Sequence, residues 1–254
     1  MNSVKVIKIG GKVIDDEQKL DAFLKDFISI KGPKILVHGG GSIASKMGKK
    51  LGITPKLVDG RRITDAETLE VITMVYGGLV NKRIVAKLQS LHTNALGLSG
   101  ADLNIIPATK RNTKPINFGW VGDVETVNIE WLSEMLNKNV VPVLAPLTHD
   151  GKGNMLNTNA DTIASSVASA LTETFETELV YCFEQPGVMN GSKLITEMNL
   201  LLYRHLKGTG VVTDGMIPKI DLGFSALKEG VKQVSIRSFE KVAELESGTK
   251  LVSN

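Results

Sequence analysis

"KILVHGGGSIASKM", residues 34–47, sets a short apolar run, three glycines and a helical repeat in direct succession. Ile35 to Val37 reads as a buried strand. After the glycines, Ile43, Met47 and Leu51 recur every four residues, and Gly52 follows as a helix stop. Consecutive glycines lose much conformational freedom on folding, so something must need bare backbone there. A phosphate, a tetrahedral oxyanion, a substrate carboxylate and a tight turn all satisfy that need. Upstream, Val4 to Ile9 is a run of the same kind, closed by Gly10-Gly11, and Leu20, Phe23, Leu24, Phe27 and Ile28 then follow at helical spacing. Strand, glycine loop and helix thus occur twice, the pattern of an α/β protein with a parallel sheet and loops at the carboxyl ends of its strands.

The rest of the chain continues this alternation. Thr64-Asp65-Ala66-Glu67 is a capping-box pattern. The helix it starts carries Leu69, Ile72, Val75, Leu79 and Ile84 and runs to about Gln89, with Gly77-Gly78 in its middle. Each glycine weakens such a helix by ~1 kcal/mol against alanine. A bend, close packing on the sheet, or helix approach at a dimer interface would each explain the pair. Ala95 to Leu98 reads as a strand, 105–124 as hairpin material, and Ile129 to Leu136 as a helix. "NVVPVLAPL" (139–147) and "ELVYCF" (178–183) read as buried strands, with a helix over Ala160 to Leu171 between them. Helices are expected over 197–207 and 217–229, and a late strand at "VKQVSI" (231–236). No linker interrupts the chain, which predicts two lobes of one continuous sheet, 1–175 and 176–254.

Composition narrows the functions. The 254 residues hold 30 basic and 27 acidic side chains without a charge run, and aromatics are 5%. Stacking platforms for single-stranded nucleic acid are therefore scarce, and no nucleic-acid or membrane partner is expected. The single Cys182 cannot form an internal disulfide, and the N-terminus has no signal-type apolar stretch; a reducing cytoplasmic setting is the simplest expectation.

Neither the P-loop pattern nor a G-x-G-x-x-G after a strand is present. The glycine loops before helices remain as anion sites, through backbone N–H groups and the helix dipole. An esterase reading of His38-Gly39-Gly40-Gly41 needs a nucleophile elbow. Gly97-Leu98-Ser99-Gly100-Ala101 fails that pattern at its last position, no amphipathic helix follows it, and a late catalytic histidine is wanting. Asn157-Thr158-Asn159-Ala160-Asp161 and Thr213-Asp214-Gly215-Met216-Ile217-Pro218-Lys219 each enter a helix. Taken singly they suit ordinary capping and a solvated lysine.

Taken together, "KIGGK" (8–12), "VHGGG" (37–41), "DGRRIT" (59–64), "GLSGAD" (97–102), "NTNAD" (157–161) and "TDGMIPK" (213–219) resemble the amino-acid kinase family, in family order and over nearly the whole chain. Within it they resemble the members that phosphorylate N-acyl-L-glutamate in arginine biosynthesis. The resemblance implies an open, mainly parallel sheet sandwiched between helices, with acyl-glutamate in the N-terminal lobe and ATP in the C-terminal one. By the same resemblance Lys8 faces the γ-phosphoryl, Lys219 the leaving β-phosphate, and Asp161 holds both lysines. Gly10, Gly11 and Gly40 line the phosphates. Gly40, Gly41, Arg62, Asn157 and Asn159 hold the acceptor, Arg62 rather than the adjacent Arg61 clamping its α-carboxylate. Glu184, Gly187, Val211, Val212 and Thr213 serve the nucleotide, although Glu184-Gln185-Pro186-Gly187 stands where many members have Asp-Val-x-Gly. Magnesium enters with ATP and has no protein cage of its own. The chain starts directly at its first strand, without the N-terminal helix of arginine-inhibited hexameric members, so a homodimer joined through the Gly77-Gly78 helix, without arginine feedback, is expected. N-Succinylglutamate, free glutamate or aminoadipate derivatives remain rival acceptors, and a non-catalytic nucleotide sensor or an α/β hydrolase are the rivals from other classes. Free glutamate would need a carboxylate for its ammonium group, and the substrate motifs offer no obvious candidate.

Overall fold

Both cores of the molecule grow from the two faces of one strand. The computed structural model describes residues 3–58, 60–213, 215–244 and 246–253; Asp59 and Asp214, within two of the motifs above, lie outside the described residues. Strand β1 (Ser3–Ile9) has neighbours on both sides. Its Val4 and Val6 join the core on one face, and its Ile7 and Ile9 the core on the other. A strand covered on both faces carries apolar residues on both, as Val4, Val6, Ile7 and Ile9 do here, all fully buried, with Lys5 and Lys8 between them.

The chain continues through α1 (Gly11–Ile14), α2 (Glu17–Ser29), β2 (Lys34–His38) and α3 (Gly41–Lys50). A hairpin of β3 (Lys56–Val58) and β4 (Arg61–Ile63) leads to α4 (Ala66–Ile72), a π-helical segment (Thr73–Val80) and α5 (Asn81–Ser90). Then come β5 (Ala95–Leu98), the hairpin β6 (Ala108–Lys110) and β7 (Gly122–Val124), α6 (Ile129–Asn137), β8 (Val141–Leu144), and the hairpin β9 (Leu147–His149) and β10 (Met155–Asn157). Helix α7 (Ala160–Leu171), β11 (Glu176–Phe183), the short pair β12 (Met189–Asn190) and β13 (Lys193–Leu194), β14 (Glu197–Met198), α8 (Leu200–Gly208), α9 (Ile217–Lys228), β15 (Gln233–Ser238) and β16 (Thr249–Leu251) complete it.

Eight strands form one sheet in the order β14-β16-β15-β11-β1-β2-β8-β5, parallel at every pairing except β15 with β16. Helices α6 to α9 pack on one face; α1, α2, α4, the π segment and α5 pack on the other. This is the three-layer α/β sandwich expected. In register, Ile9 lies beside His38 on one side and Cys182 on the other, so the glycine loops after β1 and β2 leave the sheet next to each other.

Three local expectations change. Helix α3 buries Ala44 and Gly48, whereas Leu51 is 55% exposed. The reason is the returning chain: a Cβ on Gly48 would stand 3.2 Å from the Ile53 carbonyl, so only small residues fit that face. Asp65, not Thr64, caps α4, accepting from the Thr68 N–H at 2.9 Å. Residues 197 and 198 pair with β16 before Asn199 caps α8. The helix through Gly77-Gly78 neither breaks nor ends; it widens into the π segment. A Cβ on Gly77 would meet Leu147 at 3.4 Å, while Gly78 faces open space.

Candidate functional site

Side-chain alternation puts Lys8 on the same face of β1 as Val4 and Val6, the face that α7 covers. There Lys8 Nζ lies 2.7 Å from Asp161 Oδ1, and Lys219 Nζ, from the first turn of α9, lies 3.0 Å from Asp161 Oδ2. Asp161 is in the first turn of α7, where the helix dipole favours a negative charge. It is only 5% exposed. Burial pushes its carboxyl up, but Lys8 and Lys219 outweigh burial and hold it below the usual carboxylate range. The Tyr181 hydroxyl donates to the Asp161 carbonyl at 3.2 Å, and Asn159 Oδ1 accepts the Asp161 N–H at 2.7 Å, so the carboxylate stands on a fixed backbone. The three charged residues that sequence separates by more than two hundred positions thus form one cluster with a net charge of about +1.

Beside it the two glycine loops face each other. A Cβ on Gly11 would point at Gly41 N (3.9 Å) and Gly40 N (4.0 Å), and one on Gly39 would lie 3.4 Å from Gly11 N. The first N–H groups of α3, which starts at Gly41, have no intrahelical acceptor. Gly10 differs: its N–H already donates to the Cys182 carbonyl at 3.2 Å, so of the first loop's two glycine amides the one at Gly11 is left for an anion. Gly40 is crowded by the Tyr76 ring, whose Cδ1 would stand 3.0 Å from a Cβ there. Arg62 reaches in from β4, its guanidinium donating to the Gly41 carbonyl at 2.9 Å and to Ser45 Oγ at 2.7 Å. Ser42 donates to the Asp15 carboxylate, which ties α3 to the loop after α1.

Asn157 Nδ2 donates to Thr64 Oγ1 at 3.0 Å, which links the end of β10 to the residue after β4. Between the two asparagines Thr158 is buried, its hydroxyl 2.7 Å from that of Thr148. On the other side of the sheet, Glu184 at the end of β11 pairs with Lys12 at 2.9 Å and Lys19 at 3.3 Å. A Cβ on Gly187 would come within 2.7 Å of Leu194 and Thr249, so packing alone requires glycine there. Val212 is buried in the core and Val211 packs against that core, and the N–H groups of both donate to the Leu206 carbonyl, at 3.1 and 3.0 Å, which leaves their carbonyls for any ligand. Thr213 is exposed, and its carbonyl accepts the Met216 N–H at 2.9 Å. Among the described residues no three His, Cys, Asp or Glu side chains stand together to hold a metal, and both oxygens of Asp161 are occupied by ammonium groups. No helix among the described residues is long and apolar enough to cross a membrane.

The Ser99 hydroxyl donates to Asp102 at 2.8 Å, and the same carboxylate accepts the Ser99 N–H. That is a local turn, and a short 3₁₀ segment, not an amphipathic helix, follows. Sequence reasoning missed Tyr76, Ser45 and Asn81, which shape the second glycine loop. Tyr76 and Asn81 sit in a helical run where one stripe of apolar positions predicts only core.

The amino acid kinase family matches residues 3–238 of the chain. An acetylglutamate kinase of Cytophaga hutchinsonii is 52% identical over 264 aligned positions, covering 100% of each chain. One from Bacteroides fragilis is 51% identical, covering 97% of this chain and 95% of its own. Among solved structures, that of smu.665 from Streptococcus mutans superposes with a TM-score of 0.81 at 27% identity, covering 98% of both chains.

Proposed function

The chain belongs to the amino acid kinase family, and from that premise we propose that it transfers the γ-phosphoryl group of ATP to the side-chain carboxylate of N-acetyl-L-glutamate. The observation that carries this reading is the Lys8–Asp161–Lys219 cluster standing beside two opposed glycine loops. A carboxylate with a pKa of about 4.3 is already a nucleophile at neutral pH. One of its oxygens bonds to the γ-phosphorus, the bond from phosphorus to the β,γ-bridging oxygen breaks, and ADP leaves with those electrons. No proton changes hands, so no general base is required.

The barrier is the approach of one anion to another, and positioning with charge neutralisation lowers it. Lys8 meets the transferring phosphoryl from β1, and Lys219 meets the leaving β-phosphate from α9. Asp161 keeps the two ammonium groups at a fixed separation. The N–H groups of Gly11 and Gly40 approach the same phosphoryl, where a donor is commonly worth ~3–4 kcal/mol in the transition state. Arg62 takes the α-carboxylate of the acceptor, and the amides of Asn157 and Asn159 hold its remaining polar atoms. With Asp161 engaged by two lysines, the residues here fit a magnesium ion carried by the nucleotide's phosphates and water instead of a protein cage, and such an ion would supply further neutralisation of phosphate charge. Residues 1–175 would hold the acceptor and 176–254 the nucleotide, with backbone at Val211 to Thr213 and the loop from Glu184 to Gly187 nearest the nucleoside.

ADP release measured with N-acetyl-, N-succinyl- and free L-glutamate tests the assignment. Turnover strongest with N-acetyl-L-glutamate is expected, N-succinyl-L-glutamate preference would change the acyl group alone, and no turnover with any of the three would sink the kinase reading. A homodimer through the π segment accompanies it: Met74 and Leu79 are 56% and 39% exposed there, on either side of the open Gly78. Light scattering that reports about 27.4 kDa would remove the dimer.

A further inference from the structure

His38 and Asn81 lie under the second glycine loop, and the contacts above use neither. His38 ends β2 on the face that carries Leu36, opposite Lys8, and is fully buried; Asn81 opens α5 and is 1% exposed. The Asn81 amide donates to the Val143 carbonyl at 2.9 Å and stands 3.2 Å from His38 Nε2. The opposite amide orientation would set Oδ1 against the Val143 carbonyl, acceptor against acceptor. His38 Nε2 therefore accepts. Burial, opposed by the Gly39 carbonyl, pushes the imidazole down to about 4, so the ring is neutral and its one proton sits on Nδ1. That N–H donates to the Gly39 carbonyl at 2.7 Å.

The Gly39 carbonyl and the Gly40 N–H belong to one peptide plane and, being trans, point in opposite directions. Holding the carbonyl down onto His38 aims the N–H upward, into the gap where Gly40 N and Gly41 N face Gly11. A peptide between two glycines has no side chain to restrain its rotation, so the restraint must come from outside. The geometry points to His38 as a positioning residue that aims the Gly40 N–H at the phosphoryl group in flight, with Asn81 fixing the imidazole tautomer that makes this possible. The inference rests on the phosphoryl-transfer reading for what occupies the gap. A Cβ on Gly97 would overlap Asn81 Oδ1 at 1.9 Å, so glycine in β5, beside Val143 of β8, keeps room for this arrangement.

Steady-state kinetics of His38→Leu and His38→Asn test it, because asparagine carries a donor near the place of imidazole Nδ1 whereas leucine carries none. His38→Leu should lower kcat by about 10²-fold, the usual loss for one such donor, with KM for ATP and acyl-glutamate within about threefold. His38→Asn should recover at least about tenfold of that loss. Affinity for ADP–aluminium fluoride, a planar phosphoryl mimic, should fall in parallel with kcat while AMP-PNP affinity holds. Wild-type protein without turnover would overturn the kinase reading itself. Active wild type, with His38→Leu retaining kcat within about threefold or His38→Asn folding normally without recovery, would overturn the positioning role. Should His38→Leu fail to fold, Asn81→Leu replaces it: a kcat loss of about tenfold at unchanged KM supports the role, and an unchanged kcat overturns it.

Discussion

Replacing Asp161 with asparagine removes one charge and almost no volume, and it turns a cluster with a net charge of about +1 into two facing cations. Lys8 and Lys219 each sit within 3.0 Å of a different carboxylate oxygen, and Lys8 is only 8% exposed. Two ammonium groups roughly 5 Å apart repel by about 3 kcal/mol at an effective dielectric near 20. The lysines relieve this by turning away from each other, and their fixed separation, which has to match the bridging bond being broken, is lost. If most of that energy is needed again in the transition state, kcat falls by about 10²-fold, since about 1.4 kcal/mol is tenfold in rate. The free protein should also melt lower, because both ammonium groups lose their carboxylate, Lys219 keeping, among the described residues, only the Gly215 carbonyl at 3.1 Å. A polyphosphate supplies the missing anion, so AMP-PNP should raise the melting temperature of Asp161→Asn by more than it raises that of the wild type. The assays are ADP release at saturating substrates and thermal melts with and without the analogue. A kcat within about threefold of wild type, or equal stabilisation of both proteins by the analogue, would refute the electrostatic reasoning.

Arg62→Lys loses the planar guanidinium, whose Nη2 alone serves both the Gly41 carbonyl and Ser45 Oγ, and should raise the KM for acyl-glutamate about tenfold with little change in the KM for ATP, read from substrate titrations. Gly40→Ala drives a methyl against the Tyr76 ring at 3.0 Å, and should lower kcat at least about tenfold while costing about 1–3 kcal/mol of stability in urea unfolding. His38 makes stability depend on pH. Its folded pKa of about 4 lies below the unfolded value of 6.5, so the unfolded chain binds the extra proton in between and stability falls as pH drops from 6.5 towards 4, by about 3 kcal/mol in all. His38→Asn should flatten that part of a melting-temperature profile. Asp161 acts lower: its depressed carboxyl contributes stability above its unfolded value of 3.8 and loses it as pH falls through the folded one, so the lower melting temperature of Asp161→Asn should hold across neutral pH and its difference from the wild type should shrink only in the more acid range.

The site was legible where chemistry demands particular residue types at strand ends. Lys8 could be singled out because "KIGGK" (8–12) resembles the family's first glycine loop, and the sheet register then brings that loop beside Gly39 to Gly41. The part that stayed hidden runs through the π segment. A 3.6-residue period projects Val75 and Leu79 onto one stripe, yet Leu79 is exposed and Val80 is buried. From Val75 to Val80, and from Tyr76 to Asn81, the buried positions step by five, which is the spacing of a π turn. No propensity in Thr73 to Val80 announces that extra residue. Its consequence is that Tyr76 packs on Gly40 while Asn81 reaches His38, and both contacts would miss in a regular helix. The residues proposed for the nucleotide carry less information, for a different reason. Gly187 and Val212 have packing roles that suffice to explain them, so their residue types carry no information about a ligand.

Alternation along adjacent strands explains why two separate support systems meet at one gap. Lys8, on one face of β1, is answered by Asp161 at the start of α7; His38, on the other face of β2, is answered by Asn81 at the start of α5. One system carries full charges and the other none, and the physical need differs accordingly. Compensating a triphosphate takes cations, and cations left together in a buried place require a carboxylate between them. Aiming a peptide dipole takes only a neutral ring in the right tautomer, and a charged one there would bring a desolvation cost with nothing opposite to offset it. The two supports share no residue and lie on opposite sides of the sheet, so their effects on the activation free energy should add. A His38→Leu/Asp161→Asn double variant is expected to lose the product of the two single losses; a loss no larger than either alone would mean that the glycine loop and the lysine pair act as a single unit.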